Sequence, residues 1–305
     1  PTLHQIYTQK AQYSFVPGQG IQVGGLVNNV SSQAGLLGIP KLKQETSTNF
    51  TLGLGGKVNR NLSFTVDYYS INVEDRIVLS TEITPPNLPA FAGLSDLSFF
   101  VNALDTKTSG LDVVIGYNKI EAGSGTLGFN LSGNYTIKNE RDGEVKNPAS
   151  VAATGQSVVN DTQEALFFTS RPKTKWILGT TYDVGKFGLS LNNTYFGKTT
   201  FKQQGMSKDL RTEFTPKIVT DLGINFNATE KLTLALNINN LLNVLPEWSF
   251  KAENAAGTAI LANPAQVQNQ SNLITFNQRY SQMTYDGYHF SQLGTMFNLS
   301  LNYQF

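Results

Sequence analysis

Cysteine is absent from the 305 residues. That excludes a disulfide scaffold, a thiolate metal site and a cysteine nucleophile together. Histidine is almost as scarce, with His4 and His289 alone, so a zinc or non-haem iron centre built on several imidazoles is not expected. Charge is thin as well. Asp, Glu, Lys and Arg make up 15% of the chain, against roughly 25% in an ordinary soluble domain. The formal net charge of +1 leaves no electrostatic footprint for nucleic acid or an anionic surface. No apolar run approaches the roughly 18 residues of a membrane-spanning helix. The chain opens on Pro1-Thr2-Leu3-His4 with neither a methionine nor a signal peptide. For a protein that must be exported, this start reads as an internal point of a longer precursor.

What the sequence does have is alternation. Phe297, Leu299, Leu301, Tyr303 and Phe305 alternate with Asn298, Ser300, Asn302 and Gln304, the period of a strand with two unlike faces. Leu232, Leu234, Leu236 and Ile238 repeat the pattern, as do Phe187, Leu189, Leu191 and Tyr195, and Leu127, Phe129, Leu131, Tyr135 and Ile137. A helix would scatter these side chains around its circumference. The pattern predicts nine strands, near 46–58, 61–79, 97–121, 125–139, 173–184, 187–200, 215–228, 231–243 and 287–305.

The connections alternate too. Short turns fall at Asn59-Arg60, Ala122-Gly123-Ser124, Gly185-Lys186 and Thr229-Glu230, and long polar loops at 80–96, 140–172, 201–214 and 244–286, with 1–45 as another. A soluble β-sandwich would also alternate, but its solvent face would be rich in Lys and Glu, whereas this second face is Asn, Ser, Thr and Gly. Short turns at one end, long loops at the other and aromatics near strand ends (Tyr68, Tyr69, Tyr135, Trp176, Tyr195) match an antiparallel transmembrane β-barrel. Single-chain bacterial barrels close with an even number of strands. An odd count therefore points to further strands elsewhere.

Four longer stretches carry a resemblance to a known family. They are Lys41-Leu42-Lys43-Gln44-Glu45-Thr46-Ser47-Thr48-Asn49, Asp67 through Ile77, Asn102 through Asp112, and Asn239-Asn240-Leu241-Leu242-Asn243-Val244 followed by Pro246. With the opening Pro1 to Tyr7 and the terminal Phe305, their order is similar to that of TonB-dependent outer-membrane receptors, especially those of Bacteroidetes-like bacteria. Gln44 departs from the pattern, where the family commonly has Pro. The resemblance implies that residues 1–305 are the C-terminal part of a plugged barrel of about 22 strands, with 1–45 an extracellular loop region and the plug absent. It implies energised uptake of a scarce nutrient. The implied partners are the plug and N-terminal strands of the same receptor, outer-membrane lipid, TonB through the plug, the barrel-assembly machinery and a surface lipoprotein. A passive porin, or a structural or adhesin barrel, is the alternative. No cofactor is expected.

Candidate site residues follow from these readings. Asp67, Asp112, Asp183 and Asp221 fall on the polar face and are expected to line the lumen or meet the plug. A pair of them could in principle serve as acid and base, but a polar, water-filled lumen is their ordinary setting. The loop aromatics Trp248, Phe250, Tyr280 and Tyr285 are candidates for stacking on a ligand, although packing of loop on loop is the commoner role. Gly197-Lys198-Thr199 fails as a phosphate loop because Asn192 stands where a glycine is needed, and Gly53-Leu54-Gly55-Gly56 fails as a dinucleotide fingerprint at Val58. Asn130-Leu131-Ser132 and Asn298-Leu299-Ser300 are products of strand alternation rather than glycosylation sites.

Phe305, Tyr303, Leu301 and Leu299 form the expected assembly signal. Deleting Phe305 from the full-length receptor should lower the amount of folded barrel in the outer membrane while the molecules that assemble still bind ligand normally. Unchanged surface abundance with a fall in ligand affinity would instead place Phe305 in a binding site.

Overall fold

The computed structural model describes residues 1–16, 20–274 and 290–304. In chain order the elements are α1 (Leu3–Tyr7), β1 (Lys10–Val16), β2 (Gly20–Val27), α2 (Ser32–Leu36), β3 (Thr46–Lys57), β4 (Leu62–Leu79), a 3-10 turn at Pro89–Phe91, β5 (Asp96–Ala122) and β6 (Gly125–Arg141). Then come α3 (Ala149–Ala152), α4 (Asp161–Phe168), β7 (Thr174–Val184), β8 (Phe187–Phe196), β9 (Thr199–Phe201), β10 (Leu210–Phe214), β11 (Lys217–Asn227) and β12 (Leu232–Asn239). The chain ends through β13 (Trp248–Ala252), α5 (Ala255–Leu261), α6 (Pro264–Ile274) and β14 (Met296–Tyr303). The fold is mostly β, and among the described residues no helix is long and apolar enough to cross a membrane, which says nothing about crossing by strands.

One sheet carries the nine strands that the alternation predicts, in the order β3, β4, β5, β6, β7, β8, β11, β12, β14. Each short turn has a local cause. At Asn59 the side-chain Oδ1 accepts from the backbone N–H of Asn61 and Leu62, both at 2.8 Å, an Asx turn that reverses the chain. Gly123 and Gly185 sit at φ +62° and +56°, where a residue with a Cβ is strained. The side chain of Thr229 accepts from the Lys231 N–H at 3.2 Å.

Register then puts like with like. Leu234, Leu236 and Ile238 of β12 face Leu301, Leu299 and Phe297 of β14 on one side and Phe226, Ile224 and Leu222 of β11 on the other. β11 in turn meets Phe187, Leu189 and Leu191 of β8. The opposite face pairs Asn237 with Asn298 and Ala235 with Ser300. A slip of one residue anywhere would exchange the two faces. The apolar face lies open along β14, with Leu299 77% and Leu301 64% exposed. Near the long-loop end of this face Trp176 lies flat over Gly133, where an added Cβ would come 2.3 Å from the indole. The Trp176 Nε1 donates to Thr174 Oγ1 at 2.7 Å, an apolar body with one satisfied polar tip, as suits a membrane interface.

The nine-strand run has two free edges among the described residues, and the β1–β2 hairpin on β5 adds a third at β1, which pairs with β2 alone. β3 pairs with β4 alone and β14 with β12 alone. Hydrocarbon supplies no hydrogen-bond partner for such edges.

The chain divides into two compact units: residues 1–50, 70–108 and 138–164, and residues 51–69, 109–137 and 165–305. The first contains an apolar core with Leu97, Phe99, Val101, Ala103, Val151 and Val158 at 3% exposure or less. In the second, β9, β10 and β13 form a small sheet of their own, and its loops bury Phe201, Phe214, Ala165 and Ile274.

Several expectations need adjustment. Residues 1–45, taken as loop, hold the antiparallel hairpin β1–β2, and β2 adds in parallel to β5 through Gly24↔Asp96 to Val27↔Phe99. The strand expected at 187–200 stops at Phe196, one residue short of the last ladder bond from Gly197 N–H to the Thr174 carbonyl, after which the chain enters β9. The strand expected at 231–243 stops at Asn239 because Asn240 and Asn243 turn the backbone to φ +52° and +51°. Asn240 holds that turn with its own side chain, bonding Val244 O at 2.7 Å and Val244 N at 2.8 Å. The last strand begins at Met296 rather than 287. Residues 287–289 and Phe305 lie outside the described residues.

Replacing Leu234 by Arg in the full-length receptor should destabilise it by roughly 2–4 kcal/mol, against far less for Asn237→Arg on the other face. Reversible unfolding from lipid vesicles measures both, and equal costs would contradict the assignment of the faces.

Candidate functional site

On the polar face of the second unit, Tyr69 of β4 lies across Gly110 of β5, where an added Cβ would come 2.4 Å from the tyrosine oxygen. Asn134 of β6 completes the group. Its Nδ2 donates to Asp112 Oδ1 at 2.7 Å and to the Tyr69 hydroxyl oxygen at 3.1 Å, while its Oδ1 accepts from Thr136 at 3.1 Å. Asp67 sits against Gly53, whose added Cβ would come 2.0 Å from the carboxylate. Asp183 opposes Gly188. Asp221 accepts from the Asn240 backbone N–H at 2.7 Å. Each of the four aspartates therefore has its own setting, and among the described residues no hydrogen bond joins any two of them.

Asp112 was expected on the polar face and Tyr69 among the strand-end aromatics, whereas Asn134 was not singled out. Gly110 was the available signal, since a glycine in mid-strand marks a close approach by a neighbour.

Trp248 and Phe250 lie on β13, paired in register with Phe214 and Thr212 of β10. Their rings meet edge to face at 5.3 Å, and both pack, partly buried, against the cluster of Ala165, Phe201, Phe214 and Ile274. Tyr280, Tyr285 and His289 lie outside the described residues. Among the described residues no group of His, Asp and Glu could hold a metal ion.

The first unit contains a charged knot that the sequence reading did not foresee. Asp75 of β4 is a non-glycine residue at φ +53°, a conformation Asp tolerates better than most but still at a cost. All its polar groups are engaged. Its N–H donates to Asp105 Oδ1 at 2.8 Å, its carbonyl accepts from Asn102 Nδ2 at 2.5 Å, and its carboxylate accepts from Lys146 Nζ at 2.9 Å. The same ammonium reaches Asp105 Oδ1 at 2.6 Å. Asn102 Oδ1 accepts from the Lys43 N–H at 2.8 Å, and its Nδ2 also donates to the Lys43 carbonyl at 3.2 Å. Three of the family-like stretches thus meet here, through Lys43, Asp75, and Asn102 with Asp105. Lys146 joins from the connection between β6 and α3, whose backbone is pinned to β5 by Asp142 N–H to Asp105 O and Lys146 N–H to Ala103 O.

Desolvation raises the Asp105 carboxyl's pKa, but hydrogen bonds from Lys146 and the Asp75 backbone, with the Lys146 charge, outweigh it. They hold the group below the ordinary value of 3.8. Desolvation lowers the Lys146 pKa, and the two carboxylates outweigh it, holding the ammonium above 10.5. Asp105 lies far from the short turn that follows Ala122, well beyond the roughly 9–11 residues a strand needs to span the bilayer.

The alternating strands, asymmetric connections and free edges together define part of an antiparallel β-barrel of the bacterial outer membrane, crossing it many times with strands. The family follows from comparison. Residues 1–241 match the family described as TonB dependent receptor-like, beta-barrel, and the chain belongs to that family. No curated protein matches it. Among solved structures, the siderophore receptor PirA from Acinetobacter baumannii superposes with a TM-score of 0.54 at 13% identity, covering 94% of this chain and 34% of that one. The G324V mutant of the ferric enterobactin receptor PfeA from Pseudomonas aeruginosa gives 0.50 at 16% identity, covering 80% and 31%. The chain spans about a third of the length of these receptors. At such identities the likeness reaches the fold and not the ligand.

The knot makes a pH prediction. A carboxyl whose folded value is depressed stabilises fully above its unfolded value and loses that contribution as pH falls through the folded one. Amide protection at Asp75 and Lys146 in the full-length receptor should be high at neutral pH and fall below about pH 4, after correction for the intrinsic exchange rate. Lys146→Met should lower it at neutral pH by about 1 kcal/mol or less, since the pair is partly exposed. Protection that ignores both pH and the substitution would show that the charges do not hold the loop.

Proposed function

We propose that the chain is the C-terminal part of the barrel of a TonB-dependent transporter that takes up a scarce nutrient. The carrying observation is the nine-strand meander with an open apolar face, a polar face and two unpaired edges, in a chain of this family. Strands from the rest of the same receptor would complete the edges, and a plug would fill the lumen. On this reading Asp67, Asp112, Asp183 and Asp221 line the lumen or meet that plug, and TonB acts through it. Outer-membrane lipid covers Leu299, Leu301 and their neighbours, and the barrel-assembly machinery reads the terminal strand. A surface lipoprotein could cap the loops. The isolated settings of the four aspartates support transport over acid–base catalysis, which needs two carboxyl groups flanking one bond.

A plugged transporter should pass little steady current when the full-length receptor is placed in a planar bilayer, and its nutrient uptake by cells should stop when tonB function is deleted although surface abundance is kept. A steady open-pore conductance with uptake independent of TonB would replace this reading with a passive porin.

A further inference from the structure

The hairpin β1–β2 carries its polar residues on one face and its apolar ones on the other. Lys10, Gln12 and Ser14 alternate along β1, and Gln12 pairs in register with Gly24 of β2, which Asp96 of β5 adjoins in parallel. Tyr13, Phe15 and Ile21 point the other way and are 70% exposed or more. The polar face lines a cavity of about 240 Å³, to which Glu82 and Ser98 also contribute.

Three charges of mixed sign meet at this cavity, namely Lys10, Glu82 and Asp96. Among the described residues no ion pair joins them to one another or to anything else. In the same unit Lys146 pairs with both Asp75 and Asp105 at 2.6–2.9 Å. The contrast is between charges used to hold the fold and charges left open to a cleft. Gly24 keeps the cleft open, because an added Cβ would come 2.7 Å from Asp96 Oδ1 and would displace the carboxylate.

The lining selects its occupant. Lys10 and Glu82 are exposed and Asp96 is half-buried, so a ligand from solvent reaches all three, and a ligand of one charge would meet a like charge beside an opposite one. A molecule bearing both an ammonium and a carboxylate pairs them all. The ammonium has three donors and can bridge two carboxylates, here Glu82 and Asp96, while Lys10 takes the ligand's carboxylate. The Gln12 amide and the Ser98 hydroxyl can meet a peptide group between them. The volume is below the usual 300–1,000 Å³ of drug-sized pockets, which suits a very short ligand. We propose that this cavity binds a short zwitterionic peptide of dipeptide size. The proposal deepens the transport reading and rests on it for the ligand's fate, whereas the binding step stands by itself.

Calorimetry on the purified full-length receptor tests it, with L-alanyl-L-alanine as the probe and no energy source present. The dipeptide should bind, and N-acetylation or C-amidation should each weaken binding about tenfold or more. Asp96→Asn should lose affinity for the free dipeptide and narrow its preference over the acetylated one, and Lys10→Met should do the same for the amidated one. Gly24→Val, which fills the cleft with every charge kept, should abolish binding. Heat-modifiable mobility in detergent gels shows that each variant is a folded barrel. Absence of binding to the folded wild type, or variants that bind and discriminate like it, would overturn the proposal. Dipeptide binding combined with TonB-independent uptake would uphold it and remove the transport reading alone.

Discussion

Hydrocarbon cannot hydrogen-bond, and the rest of this structure depends on that. A sheet in a membrane must satisfy every backbone N–H and C=O from within and must end without free edges. From this follow the unbroken antiparallel pairing of β6, β7, β8, β11, β12 and β14 and the outward turn of leucine and phenylalanine. The same requirement makes the edges at β3 and β14 places where further strands of the receptor belong. In water the exposed leucines of β14 would be an aggregation hazard. Against lipid they are its proper surface.

The polar face obeys a different rule. Small residues there let large neighbours lie flat across the adjacent strand, as Tyr69 does over Gly110 and Asp67 over Gly53. Asparagine and threonine then satisfy what those neighbours leave open, and Asn134 links Asp112 and Tyr69 while accepting from Thr136. A face satisfied in this way needs few formal charges, in keeping with the scarcity of charged residues in the composition.

Away from the short turns, the chain uses charge where it needs a fixed point. Asp75 adopts a left-handed backbone, and the cost is offset by bonds to its N–H, its carbonyl and its carboxylate. The three family-like stretches that meet there have no chemistry in common as sequences. Together they shape one kink in β4 and one anchor for the connection carrying Lys146. Among the described residues the mixed charges around the β1–β2 cavity have no such internal partners, which is why they read as a site and the knot does not.

Alternation by itself determined the strands and their two faces, because the direction of a Cβ along an extended chain has period two whatever lies around it. Turn residues such as Asn59, Gly123 and Gly185 were legible for the same local reason. The hairpin in residues 1–45 escaped because Gly-rich β2 has a weak alternation, and the end of β12 escaped because the left-handed turn that Asn240 holds with its own side chain stops it. The loop helices lack a periodic apolar face to announce them. Only the tertiary structure decided which side chains meet: Asn134 reaches Tyr69 across 65 positions, and Lys146 reaches Asp105 across 41 and Asp75 across 71. Contacts of that kind depend on strand register and on where long connections return, and a hydrogen bond between distant residues leaves no periodic trace in the sequence that forms it.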